Sequence, residues 1–388
     1  MERLPAKGNS EETGNVANAI FLDHRKLVND ALSCSLVEVE GINYKCKLKK
    51  QLFQYYTKTR SQGNPRKRKR VSSVPELTQE DPVHHYLNIL PEPENDQSND
   101  DIGLARIWED PYALPTFHGA NTSGWTQRFR NSTANAEISY LIPNDSCFYN
   151  HNVDQLAALM PQLMPSYDII ILDPPWRNKY IRRLNRAKED LGYAMLDNEK
   201  LCALPLSQLV NKRTLVAIWC TNAMQHQTDL EKQLLPSWNL SLLHKMRWYK
   251  LNTDHHLVGP LQVDLTQKQP YEMLYLACHP DGLEDYATAA AGLKKTELLL
   301  SVPSIVHSHK PPLLPWLRQH VQLSESQSSP KCLELFARYL QPQCTSIGLE
   351  VLKLMDERLY DLQREDSVLS DSRDSISPTK RLKETNTM

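Results

Sequence analysis

Short aliphatic runs recur along the second half of the chain: Ile169 to Leu172, Leu215 to Trp219, Leu240 to Met246, Met273 to Ala277, Leu298 to Val302, Leu333 to Phe336 and Ile347 to Leu354. Apolar runs of this length, bounded by polar or proline-containing stretches, are the pattern of strands buried on both faces. Between them, Val153 to Met160 and Met224 to Leu235 have helical character. The alternation predicts an α/β sheet of mostly parallel order, beginning near Ser139. Upstream, residues 17–57 mix apolar and charged positions without a settled period and predict a small helical or mixed element. Residues 75–101 are rich in Pro, Glu, Asp and Asn and read as an unstructured acidic linker. Residues 117–136 carry Gly, Asn, Ser and Thr and read as loop. The expected division is therefore 1–60, a small N-terminal element; 61–137, a basic run and polar linker, largely disordered; 138–360, the folded body; and 361–388, a disordered tail.

Composition adds limits. In 388 residues, 40% are hydrophobic and 23% charged, enough for a sizeable core. No stretch approaches the roughly 18–20 apolar residues of a membrane span, so no membrane partner is expected. The opening MERLPAKGNSEETGN lacks the apolar centre of a secretory signal. Eight cysteines at 34, 46, 147, 202, 220, 278, 332 and 344 are scattered without a CxxC pair, which argues for reduced thiols and against a zinc site. The net charge of −1 says nothing for nucleic acid, so such a role has to come from local patches. One is Arg66-Lys67-Arg68-Lys69-Arg70, which reads as a nuclear-import signal or as an ordinary solvated charge run. The expected address is the nucleus, with the cytoplasm as a second compartment.

The chemistry concentrates at one strand end. In open α/β sheets, ligands sit beyond the carboxyl ends of the strands. Ser166 to Leu172 is a buried-strand pattern that delivers Asp173-Pro174-Pro175-Trp176 at such an end. Two prolines in succession fix φ and hold the turn extended and rigid. Methylating the exocyclic amine of adenine needs such a turn. The N6 lone pair is delocalised into the ring, and acceptors that hold both N–H hydrogens favour the pyramidal transition state. Asp173 and the Pro174 carbonyl are the expected acceptors. Trp176 is the expected stacking face for a flipped base, worth about 1–3 kcal/mol, against the few kcal/mol of unstacking. A structural Asp-Pro-Pro turn is the plain alternative.

From these residues the chain resembles the MT-A70 family of adenine-N6 methyltransferases, in particular its methyltransferase-like-four branch. The resemblance rests on Ile169 to Trp176, Trp219-Cys220-Thr221-Asn222, Leu235-Pro236-Ser237-Trp238, Pro270-Tyr271-Glu272, Val306 to Pro312 and Leu333 to Arg338, with a fainter echo at Phe21-Leu22-Asp23-His24. It covers roughly 138–360. It implies a Rossmann-like methyltransferase fold in permuted order, with the catalytic strand ahead of the strand that holds S-adenosyl-L-methionine, and hence no GxGxxG before the catalytic turn. It implies donor contacts from Asn152, Asp173, Lys310, Glu334, Arg338 and Glu350. Glu272, Asn222 and His309 are placed with the target adenosine, though His309 also reads as a plain loop histidine and Glu272 as a strand-edge charge. Three positions depart from the family pattern, which has Asp at Asn152, Asn at Leu349 and Asn at Tyr339. Trp248 and Tyr249 read better as core.

Residues 177–188 carry Arg177, Lys179, Arg182, Arg183, Arg186 and Lys188 before any acid appears, which predicts a phosphate-contacting loop or, alternatively, a solvated helix face. Phosphate contacts do not separate RNA from DNA. The resemblance implies RNA, with an internal 2′-O-methyladenosine of a spliceosomal small nuclear RNA (U2) as target. DNA adenine methylation and a catalytically weak RNA-binding homologue are the alternatives. No obligatory protein partner is evident.

Overall fold

A computed structural model of the chain describes residues 2–3, 18–33, 37–39, 42–53, 81–90, 114–132, 137–176, 196–264, 267–289, 296–306, 309–321, 323, 327 and 329–364. The apolar runs fall where strands form. Ile169–Leu172, Leu215–Cys220, Cys332–Leu335 and Cys344–Ile347 are buried at every position. Side chains alternate across the sheet. Ile170, Leu172, Val216, Ile218, Leu333 and Leu335 enter one core, and Ile169, Ile171, Leu215, Ala217, Trp219 and Cys332 the other. Burial on both faces is why these strands read as continuous aliphatic runs.

The central sheet has eleven strands. Across it lie Glu2–Arg3, Asn18–Phe21, Thr296–Ser301, Ser241–Lys250, Tyr271–Cys278, Leu215–Cys220, Ile169–Leu172, Cys332–Leu335, Cys344–Ile347, Ser146–Asn150 and Phe117–Asn121. Ser146–Asn150 through Leu215–Cys220 are mutually parallel. Tyr271–Cys278 runs antiparallel to both of its neighbours, so its first residues lie at the edge where the parallel strands end. Ile169–Leu172 sits beside Cys332–Leu335 although it comes far earlier in the chain. The sheet proceeds from the first toward Leu215 and from the second toward Cys344, in opposite directions, which makes their carboxyl ends the switch point where ligands bind. This is the expected permuted, Rossmann-like methyltransferase order.

Several boundaries differ from expectation. The N-terminal element is no separate unit, because Asn18–Phe21 pairs in parallel with Thr296–Ser301 and extends the central sheet. Its helix, His24–Ser33, packs through Val28 and Leu32 into a third core with Cys46, Leu48, Tyr140, Tyr339 and Leu352. Within the expected linker, Val83–Leu87 is helical with Val83 and Tyr86 buried. Phe117–Asn121 closes the far edge of the sheet, and Gln127–Ser132 pairs with Glu137–Ile142. These polar stretches form strands because one partner supplies their hydrogen bonds and only one face needs burial. Tyr360–Arg364 pairs with Ile42–Leu48, so the ordered chain runs past 360. At Ile347 to Leu354 the strand is Cys344–Ile347, and turns follow it.

Candidate active site

The catalytic turn is held from three sides. The Asp173 N–H lies 3.4 Å from the Leu335 carbonyl at the end of the neighbouring strand, and the Trp176 N–H donates to the Pro174 carbonyl at 2.8 Å. The Trp176 indole N–H donates to the Trp219 carbonyl at 2.8 Å, and its ring lies 5.4 Å from that of His226. Trp176 is buried, so here it anchors the turn; the expected exposed stacking face is not what this residue presents. An indole with a satisfied N–H and an apolar body is suited to such a buried anchor. The Pro174 carbonyl keeps one lone pair beyond the one that Trp176 occupies.

Four charges alternate along the same edge. Lys310 Nζ lies 3.2 Å from Asp173 Oδ1 and 3.0 Å from Glu272 Oε2. Glu272 Oε1 pairs with Lys250 Nζ. Lys250 also lies 4.8 Å from the Trp248 ring centroid and Lys310 5.8 Å from that of Trp219. Glu272 reaches this edge because its strand runs antiparallel, and Lys250 because it ends a strand of the opposite sense. Burial raises the Asp173 carboxyl above its ordinary value, and Glu272 adds to this against the pull of Lys310 and Arg338. At Glu272 burial also pushes up, but Lys310 and Lys250 outweigh it and hold the carboxyl well below the usual range. The Lys310 ammonium is lowered by burial and raised more by the two carboxylates, to about 12. Two anions thus meet two cations in a largely buried cluster. Lys310, expected at the donor, is engaged with the Asp173 and Glu272 carboxylates. Lys250 went unassigned in the sequence; its one signal is its place at a strand's carboxyl end.

A second group lies across the switch point. Arg338 Nε is 3.5 Å from Glu350 Oε2, and Lys353 Nζ is 2.7 Å from Glu350 Oε1. Glu350 Oε2 is buried without a hydrogen-bond donor among the described residues, which fits a ligand hydroxyl. Glu334 is buried, accepts from Gln341 Nε2 at 2.8 Å, and has its carboxyl pushed up to about 7, mostly by burial. The loops close tightly here. Phe336 takes a left-handed φ of 63°, and a Cβ on Gly348 would meet the Ala337 carbonyl at 2.4 Å, so only glycine fits. The donor set therefore suits a ligand with hydroxyls and a cationic amine.

Other expected residues are engaged locally. The Asn152 side chain accepts from the Asp154 N–H and caps a short helix, so its oxygen is committed locally. Asn222 Nδ2 donates to the Gln267 carbonyl at 3.3 Å. His309 is buried, 4.5 Å from the His24 ring and 5.3 Å from that of Tyr339, so an expected adenosine contact proves to be an interior residue. Arg177, Lys179, Arg182 and Arg183, like the Arg66 to Arg70 run, lie outside the described residues. His226, which packs against Trp176, was not singled out in the sequence because a lone histidine two residues into a helical stretch carries no signal.

The permuted sheet and the Asp-Pro-Pro-Trp turn at its switch point define a Rossmann-like α/β domain. Residues 167–350 match the MT-A70 family model. The chain's relatives include the N(6)-adenine-specific methyltransferase METTL4 of Mus musculus, 34% identical over 218 residues, 55% of this chain and 43% of that protein. They include a DNA N6-methyl methyltransferase of Caenorhabditis elegans, 28% identical over 222 residues, 57% of this chain and 55% of that one. The N6-methyladenosine RNA methyltransferase MTA1 of Cryphonectria parasitica is 28% identical over 229 residues, 57% of this chain and 62% of that one. The chain spans about half the length of the curated relatives it matches.

Proposed function

We propose that this chain is an S-adenosyl-L-methionine-dependent adenine-N6 methyltransferase acting on nucleic acid. The observation that carries the reading is Asp173 on a rigid strand-end turn, paired through Oδ1 with Lys310, which leaves Oδ2 and the remaining Pro174 lone pair to accept the two amine hydrogens. The donor, when bound, supplies a methyl activated by its sulfonium. The chain's own groups do the rest. Glu334, Arg338 and Glu350 are the residues that would hold the donor, Glu350 through Oε2, which accepts no hydrogen bond among the described residues. Lys310 and Lys250 keep Glu272 ionised, and Lys310 fixes Asp173 in one orientation. As N6 becomes cationic, the Asp173 carboxylate stabilises it, and its raised pKa makes Asp173 an apt acceptor for the proton that leaves. No metal takes part in this scheme.

The substrate we favour is RNA, with an internal 2′-O-methyladenosine of a spliceosomal small nuclear RNA as the target. The basic residues between Arg177 and Lys188 would contact phosphates, and the Arg66 to Arg70 run would direct nuclear import. DNA is the competing polymer, supported by the worm relative. The test is donor-dependent methyl transfer to 2′-O-methylated RNA, unmodified RNA and matched DNA. Preference for the 2′-O-methylated RNA is expected, with Asp173→Ala slower by about 10²–10³-fold, as for loss of an electrostatic stabiliser. Equal rates on DNA would defeat the RNA assignment. Transfer to none of the three would defeat the enzyme reading.

A further inference from the structure

Lys310 follows the strand Thr296–Ser301, and the N-terminal element touches the described residues from the end of that strand to Lys310 at three points. The Leu22 N–H donates to the Leu300 carbonyl at 2.8 Å where the chain leaves that strand. The Ile305 N–H donates to the Leu52 carbonyl at 2.7 Å midway along. Next to Lys310 itself, the His309 ring stands edge-on to His24, centroids 4.5 Å apart and planes at 70°. Tyr339 closes the other side of His309 at 5.3 Å, and Phe53 backs His24 at 5.1 Å. His24 and His309 are 1% and 5% exposed. His24 lies in the Phe21 to His24 segment whose resemblance the site has not otherwise used.

We propose that His24 is a positioning residue for methyl transfer, acting through His309 to seat Lys310 between Asp173 and Glu272. A lysine carries a point charge on four rotatable carbons, so its placement is set by packing near its backbone. A site group displaced by about 1 Å loses much of its effect. The described contacts that fix the residue before Lys310 are the ring clamp and the His309 N–H to Val306 carbonyl bond at 3.2 Å. The ring's shape matters here and its polarity does not. Among the described residues neither His24 nitrogen has a hydrogen-bond partner, nor does His309 Nδ1, so phenylalanine fills the same place without leaving a buried polar atom unpaired. By this route an element well before the family-matched region becomes part of the catalytic apparatus.

The proposal rests on the methyltransferase reading, so its test includes a measurement independent of activity. In the full chain, His24→Ala is expected to lower kcat about tenfold, or about 1.4 kcal/mol, with KM for donor and nucleic acid unchanged. His24→Phe is expected to restore kcat. In parallel, lysines are acetylated with acetic anhydride and read by mass spectrometry. Lys310, largely buried and paired with two carboxylates, is expected to resist labelling in the wild type and in His24→Phe and to become labelled in His24→Ala, with the exposed Lys26 equal in all three. Wild-type kcat and a protected Lys310 in His24→Ala would overturn the proposal. So would a loss of kcat that only tracks loss of folded protein in thermal melts while Lys310 stays protected. Should the wild type methylate nothing, the labelling alone decides.

Discussion

On one side of the switch point, Asp173, Glu272, Lys310 and Lys250 form a closed set of alternating charges. On the other, Glu334 is buried and accepts from the Gln341 amide, and Glu350 Oε2 has the Arg338 ion pair at 3.5 Å but accepts no hydrogen bond among the described residues. The proposed base side is fully cross-paired, whereas on the proposed donor side one buried carboxylate oxygen, Glu350 Oε2, has no hydrogen bond among the described residues. Preorganisation lowers the cost of stabilising a transition state, and a buried acceptor without a hydrogen bond raises the gain from a ligand that supplies one. The two sides are therefore suited to different tasks, one to orient a weak nucleophile and the other to bind.

The largest effect tests the closed set. Lys310→Met leaves Asp173 a largely buried carboxylate without its cation, while Glu272 retains Lys250. Removing one partner of a buried pair costs about 3–5 kcal/mol, so a clear loss in denaturant midpoint is expected along with loss of transfer. Adding Asp173→Asn should recover most of the stability and none of the activity. If the single variant is as stable as wild type, the charges are not coupled and the contrast between the two sides fails.

A smaller effect probes the donor side by pH. The Glu334 carboxyl is raised in the fold from an ordinary 4.5 to about 7. Between these values the folded state binds more protons than the unfolded one, so this group's contribution is full below about 4.5 and falls as pH rises through 7. Glu334→Gln should remove that slope and leave the variant more stable than wild type at pH 8, by at most about 3 kcal/mol, with little difference at pH 4. His309 works with the opposite sign. Burial first, then Arg338, lowers its pKa to about 3, so stability from its neutral ring is lost as pH falls from about 6.5 toward that value. Parallel stability curves for wild type and Glu334→Gln from pH 4 to 8 would remove the assignment.

The smallest effect sharpens the same side. Leu349 is 42% exposed beside Glu350, and Leu349→Asn replaces an apolar side chain by the amide of the family pattern. One added hydrogen bond is worth about 1 kcal/mol, so the calorimetric Kd for S-adenosyl-L-methionine should tighten roughly fivefold. An unchanged Kd would mean that this position does not reach the donor.

Much of this was legible in the chain. The aliphatic runs marked the buried strands because burial on both faces demands apolar residues in succession. Two prolines after Asp173 marked a rigid turn whatever the fold around it. Where one face is enough, the signal weakened, and Phe117–Asn121 and Gln127–Ser132 passed for loops until a neighbouring strand supplied their hydrogen bonds. The outer bounds of the domain were misread for a similar reason, since the Asn18–Phe21 strand has meaning only beside Thr296–Ser301.

What the sequence by itself determined is the set of groups: a carboxylate on a strand-end turn, further carboxylates and lysines at other strand ends, and a buried core to carry them. The tertiary structure decided which of them meet. It placed Lys310 with Asp173 and Glu272, brought in Lys250, turned Trp176 inward onto Trp219 and His226, and set His309 against His24. The physical reason is range. Burial and φ are written in neighbouring residues, but charge pairing depends on strand order and direction, and a single antiparallel strand is what carries Glu272 to the catalytic edge.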